Sequence, residues 1–436
     1  MTRPLLTVRA AAWSAFLLLH ACLFSLDLSP AARRLIGDEV MYRTLAEQAA
    51  HGGSATPDLL WPPLYGWLLS PLARLGGNWI PVAALVQVAL LALTAVLFAD
   101  LLTRITGSAR VGVVGQALML VDPHIGAYAH YLWPEVLYVA ELVVLFWLLV
   151  ARPGRHVWWV GAGITAAVAV VTKNVLSPYL LLCIVPLAID LGIRRATTYA
   201  AGMVALAAML LAPVLLHNGR VHGTFVVSDS SRFGMLVGLT AEGRRSAVHD
   251  GAGPAFLNYL ASAPRFDQRQ RVLTDTLADL LRTRPVMDLV RAQWSRQYFR
   301  LLDVRTVLTE QLADGPYQAQ GVGYVSPGRR LSTLLRAWNA GFYALVLAAA
   351  GVGLCTSPLR TRPWLLALGG VLAYGLVLFF VVEARSRYRL PLMLPLWTSA
   401  ALALSGAVSR SRWRLATGTA VSCALLAFAF GGDVLP

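Results

Sequence analysis

Four segments of this chain carry ionisable side chains where their surroundings give little reason for them. The first is Gly37-Asp38-Glu39-Val40-Met41-Tyr42, which sets two carboxylates side by side just after a long apolar run. A carboxylate beside a membrane surface can be held ready as a base, because low dielectric and a neighbouring charge both move its pKa. The plainer role is structural: Asp38 suits the N-cap of a following helix, and Glu39 is favoured by that helix's dipole. One residue can serve both ends.

The second segment runs from Asp122-Pro123-His124 to Trp133-Pro134-Glu135 and borders a short break between apolar runs. A carboxylate that enters a bilayer with its helix is costly and tends to face a cavity or a cation, which singles out Glu135. Asp122 reads equally well as an ordinary Asp-Pro turn. His124 and His130 lie near these acids, but the spacing matches no established metal-ligand pattern. Third comes Lys173, the only lysine, at the end of an apolar run. Its ammonium could hold a lipid phosphate or simply snorkel to the interface. The fourth, residues 383–391, packs Arg385, Arg387 and Arg389 with Glu383 and Tyr388 between two apolar runs. Guanidinium forks pair phosphate oxygens two at a time, so the cluster resembles an anion receptor; its plainer role is a headgroup anchor.

The elements that must position these residues are membrane spans. Of the 436 residues 57% are apolar and only 14% charged, with a mean hydropathy of +0.62, which places the chain among membrane proteins. The net charge of +15 is spread as arginines through short breaks between apolar runs, which argues against nucleic acid as a partner. The four cysteines (Cys22, Cys183, Cys355, Cys423) all lie within apolar stretches with no close pair, as inert packing residues do. Apolar windows predict about eleven spans, near 10–29, 79–102, 111–127, 133–151, 157–172, 175–191, 197–216, 338–356, 364–382, 390–408 and 415–431. The stretch from Ala10 to Leu28 reads as a retained first helix, since it lacks a clean small-x-small cleavage site. With the N-terminus in the cytoplasm, Arg104/Arg110, Arg152/Arg155, Arg194/Arg195, Arg360/Arg362 and Arg410/Arg412/Arg414 fall inside. Lys173 and Arg385/Arg387/Arg389 then break the charge rule outside, and a rule broken locally often marks function.

Two stretches, 30–78 and 217–337, are too long to be plain connectors, and both fall outside. The first reads as two helices lying on the membrane, Glu39–His51 and Pro63–Leu75, each closed by a glycine pair. The second opens with a partly β-like run, Gly223–Gly238, and continues into amphipathic helical patterns around 254–283 and 286–303. It holds sixteen arginines against ten acidic residues, as a basic folded domain would. The chain thus divides into an N-terminal membrane module at 1–216, an extracytoplasmic domain at 217–337 and C-terminal membrane helices at 338–436.

Acids and cations from four segments therefore converge on one side of the membrane. A transferase that uses a polyprenyl-phosphate sugar needs a base for the acceptor hydroxyl and cations for the departing phosphate, and this face offers both. The motifs themselves resemble those of the GT-C glycosyltransferases, in the branch of the protein O-mannosyltransferases and aminoarabinose transferases. The resemblance rests on Gly37-Asp38-Glu39 with Tyr42 and Ala46, Trp61-Pro-Pro-Leu-Tyr65 and Ser70-Pro-Leu-Ala-Arg-Leu75. It continues at Trp133-Pro-Glu135-Val-Leu-Tyr138, Thr172-Lys173, His217-Asn218, Gly223-Thr-Phe-Val226, Gly234 and Glu383 through Pro391.

The resemblance implies an all-α polytopic GT-C fold and an inverting transfer of a monosaccharide from a polyprenyl-phosphate donor, outside the membrane. It implies Asp38 as general base with Glu39 as its partner, and Lys173, Arg385, Arg387, Tyr388 and Arg389 near the donor phosphate. Tyr42, Tyr65, Asp122, Glu135 and Glu383 would support the site or meet the acceptor, which is a glycan, a lipid or a protein. The motifs imply no definite cofactor and leave room for a divalent metal. The setting implied is a bacterial cytoplasmic membrane, with membrane lipids as further partners. Two departures stand out: Trp61 occupies a position that is basic in many relatives, and Lys173 one that is arginine in many.

Two other classes compete. A transporter or flippase for a lipid-linked sugar would also want charges among its spans, but transporters of that kind often show repeated halves and broken helices near the midplane, and neither is evident. A non-catalytic cell-envelope assembly protein of the same fold is the second, since a fold does not guarantee activity.

Overall fold

The computed structural model describes residues 3–28, 35–53, 59–152, 157–175, 183–240, 252–315, 317, 328–357, 363–407 and 411–433. Among them the chain is helical with no strand. In order, the helices are α1 (Arg3–Asp27), α2 (Asp38–Ala50), α3 (Leu64–Ala73), α4 (Ile80–Thr106), α5 (Ala109–Val121), α6 (Pro123–Tyr128) and α7 (Glu135–Ala151). There follow α8 (Val157–Thr172), α9 (Ile184–Leu191), α10 (Ile193–His222), α11 (Ser231–Thr240), α12 (Ala252–Ser262), α13 (Phe266–Thr283), α14 (Val286–Leu302) and α15 (Val307–Gln311). The chain closes with α16 (Arg329–Thr356), α17 (Pro363–Val381), α18 (Leu390–Leu404) and α19 (Arg412–Phe430).

Six of these, α1, α4, α10, α16, α17 and α19, are long and apolar enough to cross a membrane. The other expected windows correspond to shorter apolar helices. The window at 111–127 is broken because Asp122 ends α5 and starts α6, with Pro123 at a first helical position. Of the window at 175–191, residues 176–182 lie outside the described part and Ile184–Leu191 is helical. Leucines and valines such as Leu85, Val86, Leu93 and Val377 are largely exposed on the outer sides of the spans, as lipid-facing side chains are.

Where the spans cross closely, glycine sets the distance. A Cβ on Gly353 would meet the Ser399 carbonyl oxygen of α18, and one on Gly351 would meet Ser422 Oγ of α19. Small residues let membrane helices approach backbone to backbone, and van der Waals packing then holds them. Gly353→Ala is therefore expected to cost at least the ~1–3 kcal/mol of an overpacked core. A lowered Tm of the detergent-purified protein would show it, with Gly341→Ala, a helical position whose Cβ would meet open space, as the control in which Tm holds or rises slightly.

Both helices expected in the first long stretch form within a residue or two of the anticipated ends. The cap is different: Gly37, at φ 51°, is the residue before the helix, and Asp38 is its first member. A positive φ suits glycine, and it turns the chain so that Asp38 leaves the cap and projects sideways. α2 and α3 then pack through Gly66, whose added Cβ would sit 2.8 Å from Leu45 Cβ.

The β-like run is a further correction. Its first part, 223–230, is irregular and not a strand; Ser231–Thr240 is helical, started by the Asp229 carboxylate, which accepts from the Ser231 amide at 3.0 Å. The pattern at 254–283 is two helices, α12 and α13. Helices α11, α13 and α14 share a small apolar core of Leu239, Leu277 and Leu289, while Leu60 joins Tyr259 and Leu273 in another. These helices thus form a layer over the bundle end that carries α2.

Candidate active site

α2 is held in place by Glu39. That side chain is fully buried; its Oε2 accepts from the Ile36 amide at 3.1 Å and its Oε1 from the Leu132 amide at 3.0 Å. It therefore stitches the start of α2 to the α6–α7 connection, the loop that leads to Glu135. Tyr65 completes the stitch: its hydroxyl donates to Gln87 Oε1 at 3.0 Å, and Gln87 Nε2 donates to the carbonyls of Ala129 and Tyr131. Tyr42 packs edge-on against Tyr65, ring centroids 5.0 Å apart. Burial, first of all, pushes both phenols well above their ordinary pKa, so they stay protonated.

With Glu39 so engaged, its replacement tests stability more than chemistry. Glu39→Gln turns one acceptor into an N–H facing a backbone N–H, which leaves a buried amide unpaired at about 1–3 kcal/mol. A lower Tm is expected, with turnover per folded molecule within about threefold of wild type; a loss of turnover at unchanged Tm would instead give Glu39 a direct part in the reaction.

Asp38 points the other way, toward the segment between α17 and α18. Arg387 Nη1 donates to Asp38 Oδ2 at 2.5 Å, with the side chains 14% and 26% exposed. Burial pushes the Asp38 carboxyl up, but the Arg387 guanidinium, joined by the Trp61 indole and by Arg385, outweighs it and holds the group below the usual carboxylate range. The Trp61 indole N–H thus helps to hold Asp38 ionised. Arg387 is itself embedded: its Nη2 donates to the Tyr388 hydroxyl at 3.2 Å, and its guanidinium lies over the rings of Trp133 at 5.2 Å and Tyr388 at 5.0 Å.

The contacts continue without a break. Lys173 Nζ sits 5.2 Å from the centre of the Tyr388 ring and donates to Glu135 Oε1 at 3.0 Å. Glu135 is 2% exposed and Lys173 14%. Arg385 Nε donates to Glu383 Oε1 at 2.6 Å at the mouth of the same group. Asp38, Arg387, Tyr388, Lys173 and Glu135, drawn from four segments, therefore make one connected cluster, with Arg385 and Glu383 on the next turn of chain.

Two expected members lie apart. Arg389 turns into the bundle, donates to the Asp303 carbonyl and stacks 4.1 Å over Tyr343. Asp122 caps α6, its Oδ1 accepting from the His124 amide at 2.8 Å and the Ile125 amide at 3.4 Å, so the turn reading holds for it. His130 is engaged by Asp27 Oδ2 at 2.6 Å and by His20 at 2.9 Å, and among the described residues no three or more His, Cys, Asp or Glu side chains group as a metal site would.

Two uncharged residues, Trp133 and Asn218, were quoted only within motifs and given no role by the sequence reading. Trp133 was visible only as part of a Trp-Pro-Glu motif, yet it is a face of the Arg387 pocket. Asn218 is wholly buried and donates to the carbonyls of Val226 and Val227, which shapes the connection between α10 and α11.

Residues 61–217 match the sequence model of the dolichyl-phosphate-mannose-protein mannosyltransferase family. No curated protein matches the chain by sequence. Among solved structures, the apo oligosaccharyltransferase of Archaeoglobus fulgidus is 15% identical, with a TM-score of 0.50 over 98% of this chain and 56% of that one. The oligosaccharyltransferase AglB of the same organism, in complex with an inhibitory peptide and a dolichol-phosphate, gives 16%, 0.47, 97% and 54%. ArnT from Cupriavidus metallidurans, bound to undecaprenyl phosphate, gives 17%, 0.46, 97% and 64%. This chain thus spans between about half and two thirds of the length of those structures. The architecture shared with the apo archaeal oligosaccharyltransferase shows a multi-pass membrane fold of the GT-C type, as the motifs imply, and the match at 61–217 adds a likeness to the mannosyltransferase family over that part of the chain.

Proposed function

We propose that this protein is a glycosyltransferase that moves a monosaccharide from a polyprenyl-phosphate donor to an acceptor hydroxyl at the non-cytoplasmic face of a bacterial membrane. The observation that carries the reading is the Asp38–Arg387 pair, a candidate base in contact with a candidate phosphate receptor. The acceptor oxygen attacks the anomeric carbon, the bond from that carbon to the phosphate oxygen breaks, and the acceptor proton passes to Asp38. Attack opposite the leaving phosphate inverts the anomeric centre. Polyprenyl phosphate leaves with the extra negative charge, which Arg387, Arg385 and Lys173 are placed to stabilise. Glu135 holds the Lys173 ammonium in place, and Trp133 and Tyr388 hold the guanidinium. The mannosyltransferase match at 61–217 covers Trp61, Tyr65, Trp133, Glu135 and Lys173, and the dolichol-phosphate and undecaprenyl phosphate in the two related structures suit a lipid-phosphate donor here.

The test is to supply purified protein with a panel of short polyprenyl-phosphate sugars and membrane extract as acceptor, and to measure released polyprenyl phosphate. Release with one donor, and label in one acceptor class, is expected. Movement of intact donor across a vesicle membrane without release would favour the flippase reading.

A further inference from the structure

The arm that carries Arg385 and Arg387 to Asp38 is fixed by helices on the far side of it. Glu383 N–H donates to the Gly234 carbonyl of α11 at 2.8 Å. The next amide, Ala384, donates to Gln297 Oε1 of α14 at 2.9 Å. Gln297 is wholly buried, and its Nε2 donates to the Gly238 carbonyl of α11 at 2.8 Å and to Gln293 Oε1 at 3.0 Å. One glutamine side chain therefore joins three segments, α11, α14 and the arm, by main-chain groups of two of them. The fit around it is tight: a Cβ on Gly238 would lie 2.7 Å from Glu383 N, and one on Gly234 would lie 2.8 Å from Val382 Cγ1.

We propose that Gln297 is a positioning residue that sets the place of the Arg385–Arg387 arm against Asp38, so that helices α11 and α14 govern how the site meets a phosphate-bearing ligand. The meaning of the arm as a phosphate receptor rests on the reading above; its placement by Gln297 does not. An amide is suited to the task because it offers a donor and an acceptor side by side on one uncharged planar group, matching the Gly238 carbonyl on one side and the Ala384 amide on the other. A buried group of this kind specifies position strongly, since any shift of the arm strands both partners without water to replace them. A displacement of an ångström at reacting groups can cost a hundredfold in rate.

The experiment places spin labels at Val40→Cys on α2 and Arg385→Cys on the arm, after the four native cysteines are replaced by alanine, and measures the inter-label distance distribution. A narrow distribution is expected with Gln297 and a broadened or displaced one with Gln297→Met, which keeps the volume and loses every hydrogen bond. Gly238→Ala pushes on the arm from the other side and is expected to displace the distance too, so one folded variant suffices. An unchanged distribution in a folded variant overturns the proposal. A second reading measures affinity for a short polyprenyl phosphate: Gln297→Met should weaken it by about tenfold or more with both arginines present, and by less than about twofold in an Arg385→Ala/Arg387→Ala background, where the arm has neither guanidinium left to position. Equal losses in both backgrounds would mean a merely structural role and overturn it as well. Because the distance measurement needs no donor, a protein that binds no polyprenyl phosphate counts against the glycosyltransferase reading alone.

Discussion

Asp38→Asn is expected to lower turnover by about 10²–10⁴, the usual contribution of a positioned general base, while the protein still binds donor. The sign of the second half follows from the pairing. In the donor-free protein the Asp38 carboxylate occupies Arg387 at 2.5 Å, and a donor phosphate must compete with it. An amide at position 38 carries no charge and competes less, so affinity for a polyprenyl-phosphate sugar should hold or rise. The measurement is donor binding and single-turnover release on the same preparation. Retention of more than about a tenth of the wild-type rate would be too small a loss for a base and would remove Asp38 from that role. The pH profile offers a check on the same residue. Since the carboxyl is held below the ordinary range near 3.9, the acid limb of kcat/KM in the wild type should lie below that range too.

Arg387→Ala is the second large effect, and it acts in two directions. On the proposed role of Arg387 as phosphate receptor, its loss removes hydrogen bonds worth about 1.5–3 kcal/mol, or roughly tenfold to 150-fold in donor affinity. At the same time Asp38 loses the charge that offsets its burial, so its carboxyl rises and the acid limb of the pH profile moves upward. The stability consequence has a definite sign. In the wild type the folded pKa of Asp38 is depressed, so its stabilisation is present above the unfolded carboxylate pKa and is lost as pH falls through the depressed value. In Arg387→Ala that contribution disappears, and with the folded pKa raised the penalty of ionising Asp38 appears instead as pH rises through the ordinary range. Melting curves in detergent from about pH 3 to about pH 8 should therefore show the difference between the two proteins growing toward neutral pH. A difference independent of pH would mean that Arg387 does not act on Asp38.

Much of this arrangement was legible because a membrane chain makes polar residues conspicuous. Asp38, Glu135, Lys173 and the arginines of 385–389 stand out against apolar neighbours, and burying them in a bilayer is too costly to be casual. What the sequence did not show was direction. Alternate arginines suggest one common face, but residues 386–389 form a 3-10 turn, whose three residues per turn send Arg389 elsewhere than Arg387. Asp38 and Glu39 adjoin in sequence and suggest a working pair. On a helix neighbouring residues stand about 100° apart, so Glu39 meets the α6–α7 loop while Asp38 meets the arm. The β-like look of 223–238 came from Thr224, Phe225, Val226 and Val227, and the Asp229 carboxylate tips the later part into a helix. Gln297 left no mark at all: in an amphipathic segment a glutamine reads as solvated surface, and only the packing of three segments reveals it as interior.

The way the arginine arm is anchored also bears on how freely this sequence can drift. Its path is fixed by main-chain amides, Glu383 on Gly234 and Ala384 on Gln297, and a main-chain hydrogen bond survives most changes of the side chain beside it. Substitutions along the arm should then be tolerated wherever they spare the few groups that touch the anion or the anchor. The variability this allows is broad, and the freedom is greatest in the helices that only have to be apolar. A chain built so can retain its architecture while sharing 15% of its residues with a solved structure of the same fold.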